Sequence, residues 1–266
     1  MPAKSKLGQN FLRDQGAIAR IGAALGDVSG RTVIEIGPGE GAITRTLIER
    51  AGHVTAIEVD HELAVRLKAF FPAEKLTVVE QDVLQFDFAE AARAAGHRLP
   101  VAGNLPYYIT SPILLRLAEN HAALDRAVLM VQREVADRVV AEPGGRDYGL
   151  LSVTAQMYGP AERLFTLPPG AFSPPPEVHS TVFRWRFAPR FAELGVEEAS
   201  FFRFAKQAFA QKRKTLGNNL RAAGLEGGAI QAAFTATGIS PQARAEALSI
   251  EELAGMSQAL SGALAG

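Results

Sequence analysis

Cysteine is absent from the 266-residue chain, which excludes disulfides, thiolate metal sites and a cysteine nucleophile. Histidine is sparse, and the five residues at 53, 61, 97, 121 and 179 include no pair at metal-ligand spacing. No metal is therefore expected. Long apolar runs are also missing: none approaches the roughly 18–20 uncharged residues that span a bilayer. The opening Met1-Pro2-Ala3-Lys4-Ser5-Lys6 is charged, but no apolar segment of signal-peptide length follows it. A soluble cytoplasmic chain without membrane contact is the expectation. Net charge is nil, 28 basic against 28 acidic residues, yet the balance is local. Residues 201–221 carry Arg203, Lys206, Lys212, Arg213, Lys214 and Arg221 with no acid among them, whereas 222–266 are acidic. Such patches, not the total, steer a polyanion.

What the chain does contain is alternation. Residues 4–13 read as an ordered arm or loop, and Asp14 as the N-cap of a helix to about Leu25. Strands are predicted at Thr32–Ile36, Val54–Val59, Leu76–Val79, Leu99–Gly103 and Ala127–Val131. Helical spacing falls between them at Gly41–Arg50, Glu62–Phe70, Phe88–Ala95 and Ile113–Glu119, the last with Ser111 as cap and Pro112 in its first turn. A helix at Glu134–Ala141 ends at Pro143-Gly144-Gly145, and Leu151–Met157 and Ser180–Phe187 read as two final strands, an antiparallel pair. Repeated strand–helix units imply right-handed crossovers and a parallel sheet covered on both faces. After Pro189 the pattern becomes helical, which places a domain boundary near residue 190.

The sheet's carboxyl end holds the candidate chemistry. Glu35-Ile36-Gly37-Pro38-Gly39-Glu40-Gly41-Ala42 follows the first strand and opens a helix. Glycines there let the backbone approach a ligand closely. Glu58 ends the second strand, where a carboxylate can accept from both ribose hydroxyls, and Asp82 follows the third, where it can accept from an adenine amine. Gly37-x-Gly39-x-x-Ala42 also fits a relaxed dinucleotide fingerprint. Pro38 and Glu35 lean away from it, so the loop suits a methyl donor better than NAD, with both readings open on the loop alone. Asn104-Leu105-Pro106-Tyr107 ends the fourth strand. Pro106 stiffens the turn, so Asn104 Oδ1 and the Leu105 carbonyl can form two acceptors beside the Tyr107 ring. That arrangement suits a planar substrate bearing an NH2 group, and an ordinary strand-to-helix turn is the alternative.

EIGPGEG, the acid at 58, QD at 81–82 and NLPY together resemble the motifs of adenine-N6 methyltransferases. GQNFL at 8–12, EVADRVVAEPGGRDYGLLSV at 134–153, FSPPPEVHS at 172–180 and QKRKTLGNNL at 211–220 narrow the resemblance to the ribosomal RNA adenine dimethyltransferases of the small subunit. It runs almost end to end. The drug-resistance methyltransferases of the large-subunit RNA share the front half, but are not expected to share the 134–153 stretch or the 211–220 run so closely. Glu177 and His179 stand where that family commonly has a basic and an acidic residue.

The resemblance implies a doubly wound, Rossmann-like class I methyltransferase sheet, α/β and mostly parallel with its last strand antiparallel. It implies a methyltransferase domain at 1–189 and a small all-helical RNA-binding domain at 190–266. It implies S-adenosyl-L-methionine as cofactor, held or bordered by Gln9, Asn10, Leu12, Gly37, Gly39, Glu58, Asp82, Val83 and Asn104. It implies that Asn104, Leu105, Pro106 and Tyr107 hold a target adenine, with Phe172 stacking on its other face and Tyr108 in reserve, a hydrophobic plug in the proline loop being the alternative for Phe172. The partner is then small-subunit ribosomal RNA in a ribosomal particle, two neighbouring adenosines of one hairpin being dimethylated late in ribosome biogenesis by a monomeric enzyme. Arg203, Lys206, Lys212, Arg213 and Lys214 are the candidate RNA contacts, although Lys212-Arg213-Lys214 fits a merely solvated helix end equally well. Phe201, Phe202, Phe204 and Phe209 lie among these charges at helical spacing and read as core. An NAD-dependent oxidoreductase and a non-catalytic RNA-binding assembly factor are the competing functions.

Overall fold

The computed structural model describes residues 10–264; Gln9 lies outside them. Two short strands, β1 (Phe11–Leu12) and β8 (Phe172–Ser173), pair antiparallel with Leu12 opposite Phe172. The main sheet contains β2 (Thr32–Ile36), β3 (His53–Glu58), β4 (Leu76–Glu80), β5 (Leu99–Asn104), β6 (Leu124–Gln132), β7 (Ala161–Leu167) and β9 (Ser180–Arg186). Their order is β4-β3-β2-β5-β6-β9-β7. The first five run parallel, and β9 is antiparallel to both β6 and β7. The strand order reverses between β2 and β5, so ligand-accessible chain ends collect there. This is the doubly wound sheet expected, with its last strand antiparallel.

Aspartates punctuate the crossovers. Asp14, Asp60 and Asp87 each sit extended at an N-cap and accept an N–H of the first turn of Gln15–Ala24, His61–Phe70 and Phe88–Ala95. The apolar faces of Gln15–Ala24 and Ala42–Arg50 pack on one side of the sheet, where Ile18, Ile21, Ile43 and Leu47 meet Val33, Ala56, Ala102 and Val128.

Three local expectations differ from the structure. The segment read as a strand at Leu151–Met157 is the helix Leu150–Tyr158. Its hydroxyls find partners within the helix and its N-cap: Thr154 Oγ1 donates to the Leu150 carbonyl, and Ser152 Oγ accepts from Gly149 N–H. The antiparallel partner of β9 is instead β7, whose sequence Ala-Glu-Arg-Leu-Phe-Thr-Leu is mostly exposed or half-buried, as suits an edge strand. The helix expected from Ile113 begins at Thr110, after a 3-10 turn at Tyr107–Ile109. Thr110 Oγ1 bonds the Pro106 carbonyl and starts the helical path before Ser111 can cap it. Pro112 then occupies the first turn, where its missing N–H has no intrahelical partner to lose.

The chain divides into two compact units, 1–136 with 161–187 and 137–160 with 188–266. A break near residue 190 is present, but the segment 137–160 belongs with the helices that follow it. The reason is apolar burial: Val153 and Met157 share a core with Phe201, Phe204, Leu220 and Leu253. Phe201 and Phe204 are fully buried there, as their spacing predicted. Met157→Ala should therefore lower unfolding free energy by about 2–5 kcal/mol, the usual range for emptying a core site, as read from urea denaturation.

Candidate active site

A cavity of about 400 Å³ opens at the carboxyl ends of β2, β3, β4 and β5, within the roughly 300–1,000 Å³ of small-molecule pockets. Of the residues expected there, Asn10, Leu12, Gly37, Gly39, Glu58, Asp82, Val83, Asn104, Leu105, Pro106 and Tyr107 all line it. The glycine loop forms one wall. Gly39 has φ 58°, and a Cβ there would meet the Phe11 ring at 3.0 Å, so a side chain is excluded by both conformation and space.

Glu58 is 3 % exposed yet faces the cavity. Gly39 N–H donates to its Oε2 at 3.1 Å and Asp60 N–H to its Oε1 at 3.0 Å. Burial raises its pKa, and these backbone donors oppose that by favouring the charged form. The carboxylate is thus pinned by the Gly39, Asp60 and Val59 N–H groups, and three donors leave part of its acceptor capacity for a ligand. Asp82 Oδ1 caps the following turn by accepting from Leu84 N–H at 2.9 Å.

Asn104 Nδ2 donates to the Asn10 carbonyl at 3.0 Å. That bond orients the amide, because Oδ1 then remains the acceptor end. Leu105 N–H is held by the Met130 carbonyl at 2.9 Å. Neither Asn104 Oδ1 nor the Leu105 carbonyl takes a hydrogen bond from another of the described residues. Two acceptors therefore stand open at one strand end. The Tyr107 ring beside them is half-buried, and its hydroxyl bonds Ser180 Oγ at 2.6 Å. Burial raises the phenol's pKa, so it stays neutral.

Phe172 is placed differently from the rest. It is 4 % exposed, packs with Leu12 in the core and does not line the cavity. Its register partner across the β1–β8 pair is Leu12, itself 3 % exposed, and the two side chains lie on one face of the pair and join the same core. Tyr108 is the ring that stands free at the rim, 60 % exposed.

The sequence reading missed Phe11, Arg13, Glu40 and Ser180. Arg13 Nη2 meets Glu40 Oε2 at 2.6 Å beside the cavity, joining the arm to the glycine loop. Oppositely charged residues 27 positions apart carry no sequence signal of pairing.

In the helical unit, Arg203 and Lys206 lie exposed on Glu198–Ala208. Lys212, Arg213 and Lys214 are exposed in the turn before Leu216–Ala222 and not at a helix end. The turn is fixed from within: Asn219 Nδ2 bonds the Ala208 carbonyl at 2.7 Å and the Gln211 carbonyl at 3.2 Å.

A profile of the ribosomal RNA adenine dimethylase family matches residues 2–261. The chain belongs to that family. Ribosomal RNA small subunit methyltransferase A of Acidobacterium capsulatum is 58 % identical over 254 residues, covering 95 % of this chain and 89 % of the relative. The protein of that name from Koribacter versatilis is 48 % identical over 263 residues, covering 94 % and 92 %. Among solved structures, the 23S rRNA methyltransferase ErmE superposes with TM-score 0.72 at 26 % identity, covering 95 % of this chain and all of that one. A dimethyladenosine transferase from Plasmodium falciparum, at TM-score 0.76 and 22 % identity over 95 % of this chain and 98 % of that one, shares the fold. The chain is thus an RNA adenine dimethyltransferase by family, and the oxidoreductase reading falls. No helix among the described residues is long and apolar enough to cross a membrane, and no cluster of metal-ligating side chains occurs among them.

Because Phe172 is core, Phe172→Ala should cost about 3–5 kcal/mol of stability, measured by denaturant unfolding. A loss below about 1 kcal/mol would place the ring outside the core.

Proposed function

We propose that the enzyme transfers methyl groups from S-adenosylmethionine to N6 of two adjacent adenosines in a small-subunit ribosomal RNA hairpin. The single observation carrying this is the pair of open acceptors, Asn104 Oδ1 and the Leu105 carbonyl, fixed beside Tyr107 in a cavity that also presents Glu58. The residues fit such a cofactor: a pinned carboxylate suits ribose hydroxyls, Asp82 suits an adenine amine, and Gly39 permits close approach. S-adenosylmethionine supplies, when bound, an electrophilic methyl group on a sulfonium.

The chain's own task is to make a poor nucleophile usable. Adenine's exocyclic nitrogen has its lone pair delocalised into the ring. Two acceptors that take its N–H bonds draw the nitrogen towards pyramidal geometry, so the lone pair is localised on it and aimed at the methyl group. Asn104 Oδ1 and the Leu105 carbonyl are not bases, so they hold the amine and do not deprotonate it. Once the nitrogen carries the new bond it is cationic, and its proton passes to water. Each such hydrogen bond is worth on the order of 0.5–1.5 kcal/mol, whereas orientation and proximity supply about 7–11 kcal/mol. Positioning dominates.

The base must leave its stack to reach this site, and stacking on aromatic rings offsets about 1–3 kcal/mol per ring. Tyr107 supplies one face. Phe172 supplies the other if its ring swings out of the core. The substrate is taken in a ribosomal particle late in assembly, by a monomer in the cytoplasm. Arg203, Lys206 and the turn Lys212-Arg213-Lys214 bind RNA phosphates.

Methyl transfer from labelled S-adenosylmethionine to under-methylated small subunits, followed by nucleoside analysis, should yield N6,N6-dimethyladenosine. Monomethyladenosine alone, or no label in RNA, would refute the reading. Asn104→Ala should lower turnover about 10²-fold or more while cofactor affinity stays within about tenfold, measured by single-turnover kinetics and equilibrium dialysis. Neutralising Lys212, Arg213 and Lys214 together should reduce the salt slope of RNA binding by about two units. An unchanged slope sinks the phosphate role.

A further inference from the structure

Glu35 is a buried acid with no part in the reaction described so far. It is 1 % exposed in β2 and does not line the cavity. Its register partners are Ala56 of β3 and Ala102 of β5, so the sheet leaves room for a carboxyl and then seals it from water. The helix Ala42–Arg50 has Gly41 at its N-cap, with no side chain to satisfy first-turn N–H groups. Glu35 does so from the strand. It accepts from Thr44 Oγ1 at 2.6 Å and also from the Thr44 backbone N–H. One carboxyl therefore ties the strand before the glycine loop to the helix after it.

Thr44 and, from β3, Glu58 are the polar and charged groups acting on Glu35, and no cation is among them. A carboxylate sealed from water next to a second carboxylate is costly, which favours its neutral form. We propose that Glu35 is a positioning residue: a protonated acid that fixes the loop from Gly37 to Gly41 and, through the Gly39 N–H, the carboxylate of Glu58. Burial lifts its pKa to about 8, so the proton is held at neutral pH and lost above that value. The Thr44 donors bind the charged form more tightly, but ionisation sets a second, water-excluded negative charge against Glu58, and that repulsion falls on the carboxylate the loop has to hold. The inference rests on the reading of Glu58 as a ribose ligand.

The test is calorimetric binding of S-adenosylhomocysteine to the full chain and to Glu35→Gln, from about pH 6.5 to about 9.5. The ligand's own amine titrates in this range and cancels between the two proteins. The affinities should agree within about threefold at neutral pH, and wild type should then lose about fivefold or more relative to Glu35→Gln by the upper limit. Parallel profiles, or a Glu35→Gln affinity more than about tenfold weaker at neutral pH, would overturn the proposal. Carbon-13 NMR of carboxyl-labelled glutamate, without ligand, decides independently should that variant fail to fold. A resonance titrating near 8 in both wild type and Glu58→Gln supports it, and its absence refutes it. Failure to bind S-adenosylhomocysteine at any pH counts against the cofactor reading, while the resonance still decides on Glu35.

Discussion

The site depends first on a hydrogen bond between residues 94 positions apart, from Asn104 Nδ2 to the Asn10 carbonyl. A strand-end asparagine can present either its donor or its acceptor end. The arm decides. The arm is itself held by the β1–β8 pair and by Arg13 N–H on the Ala171 carbonyl at 2.8 Å. The proline-rich segment around Phe172 thus acts at a distance: it fixes the arm, the arm fixes the amide, and the amide defines what the cavity accepts. Leu105 is pinned independently by the Met130 carbonyl across the sheet. Two acceptors end up at one strand end because the arm holds one and β6 holds the other.

The opposite wall obeys a second constraint. Gly39 is free to approach the arm because it lacks a Cβ, and that closeness brings its N–H to Glu58. Glu35 and Thr44 hold the same loop from behind. Acidic side chains normally avoid full burial unless paired. Here a pair of them persists because Glu58 is held by backbone donors and, as proposed, Glu35 keeps its proton. The electrostatics of the cavity are therefore set by backbone geometry more than by charge balance.

Much of this was legible in the sequence. The parallel strands were marked by apolar runs and the crossovers by helical spacing, and the strand-end residues Glu58, Asp82 and Asn104 were marked by their position after such runs. The failures have physical causes. Leu150–Tyr158 carries valine, serine and threonine that read as strand, but burial of Val153 and Met157 in the core of the helical unit holds it as a helix. β7 was missed because an edge strand keeps polar residues that an interior strand cannot. Phe172 was read from a motif that specifies residue type and not side-chain direction; its burial follows from pairing with Leu12, which no local pattern encodes. Ser180 and the Arg13–Glu40 contact are long-range partners and left no local trace. Lys212-Arg213-Lys214 was correctly seen as exposed, but its turn geometry came from Asn219, a buried residue read only as part of a motif.

The placement of Phe172 also bears on how an adenine would be held. A pocket with one fixed ring and two fixed acceptors can orient the base edge without a second ring, since the acceptors define a plane and Tyr107 defines its offset. A second ring adds on the order of 1–3 kcal/mol, which offsets part of the loss of about 3–5 kcal/mol when a phenylalanine leaves a core site. The core position is favoured. Exposing Phe172 costs least when a base is present to cover it, and more otherwise. In the proposed reaction that difference makes the closed, apolar wall the resting state, and it ties completion of the adenine clamp to arrival of the RNA.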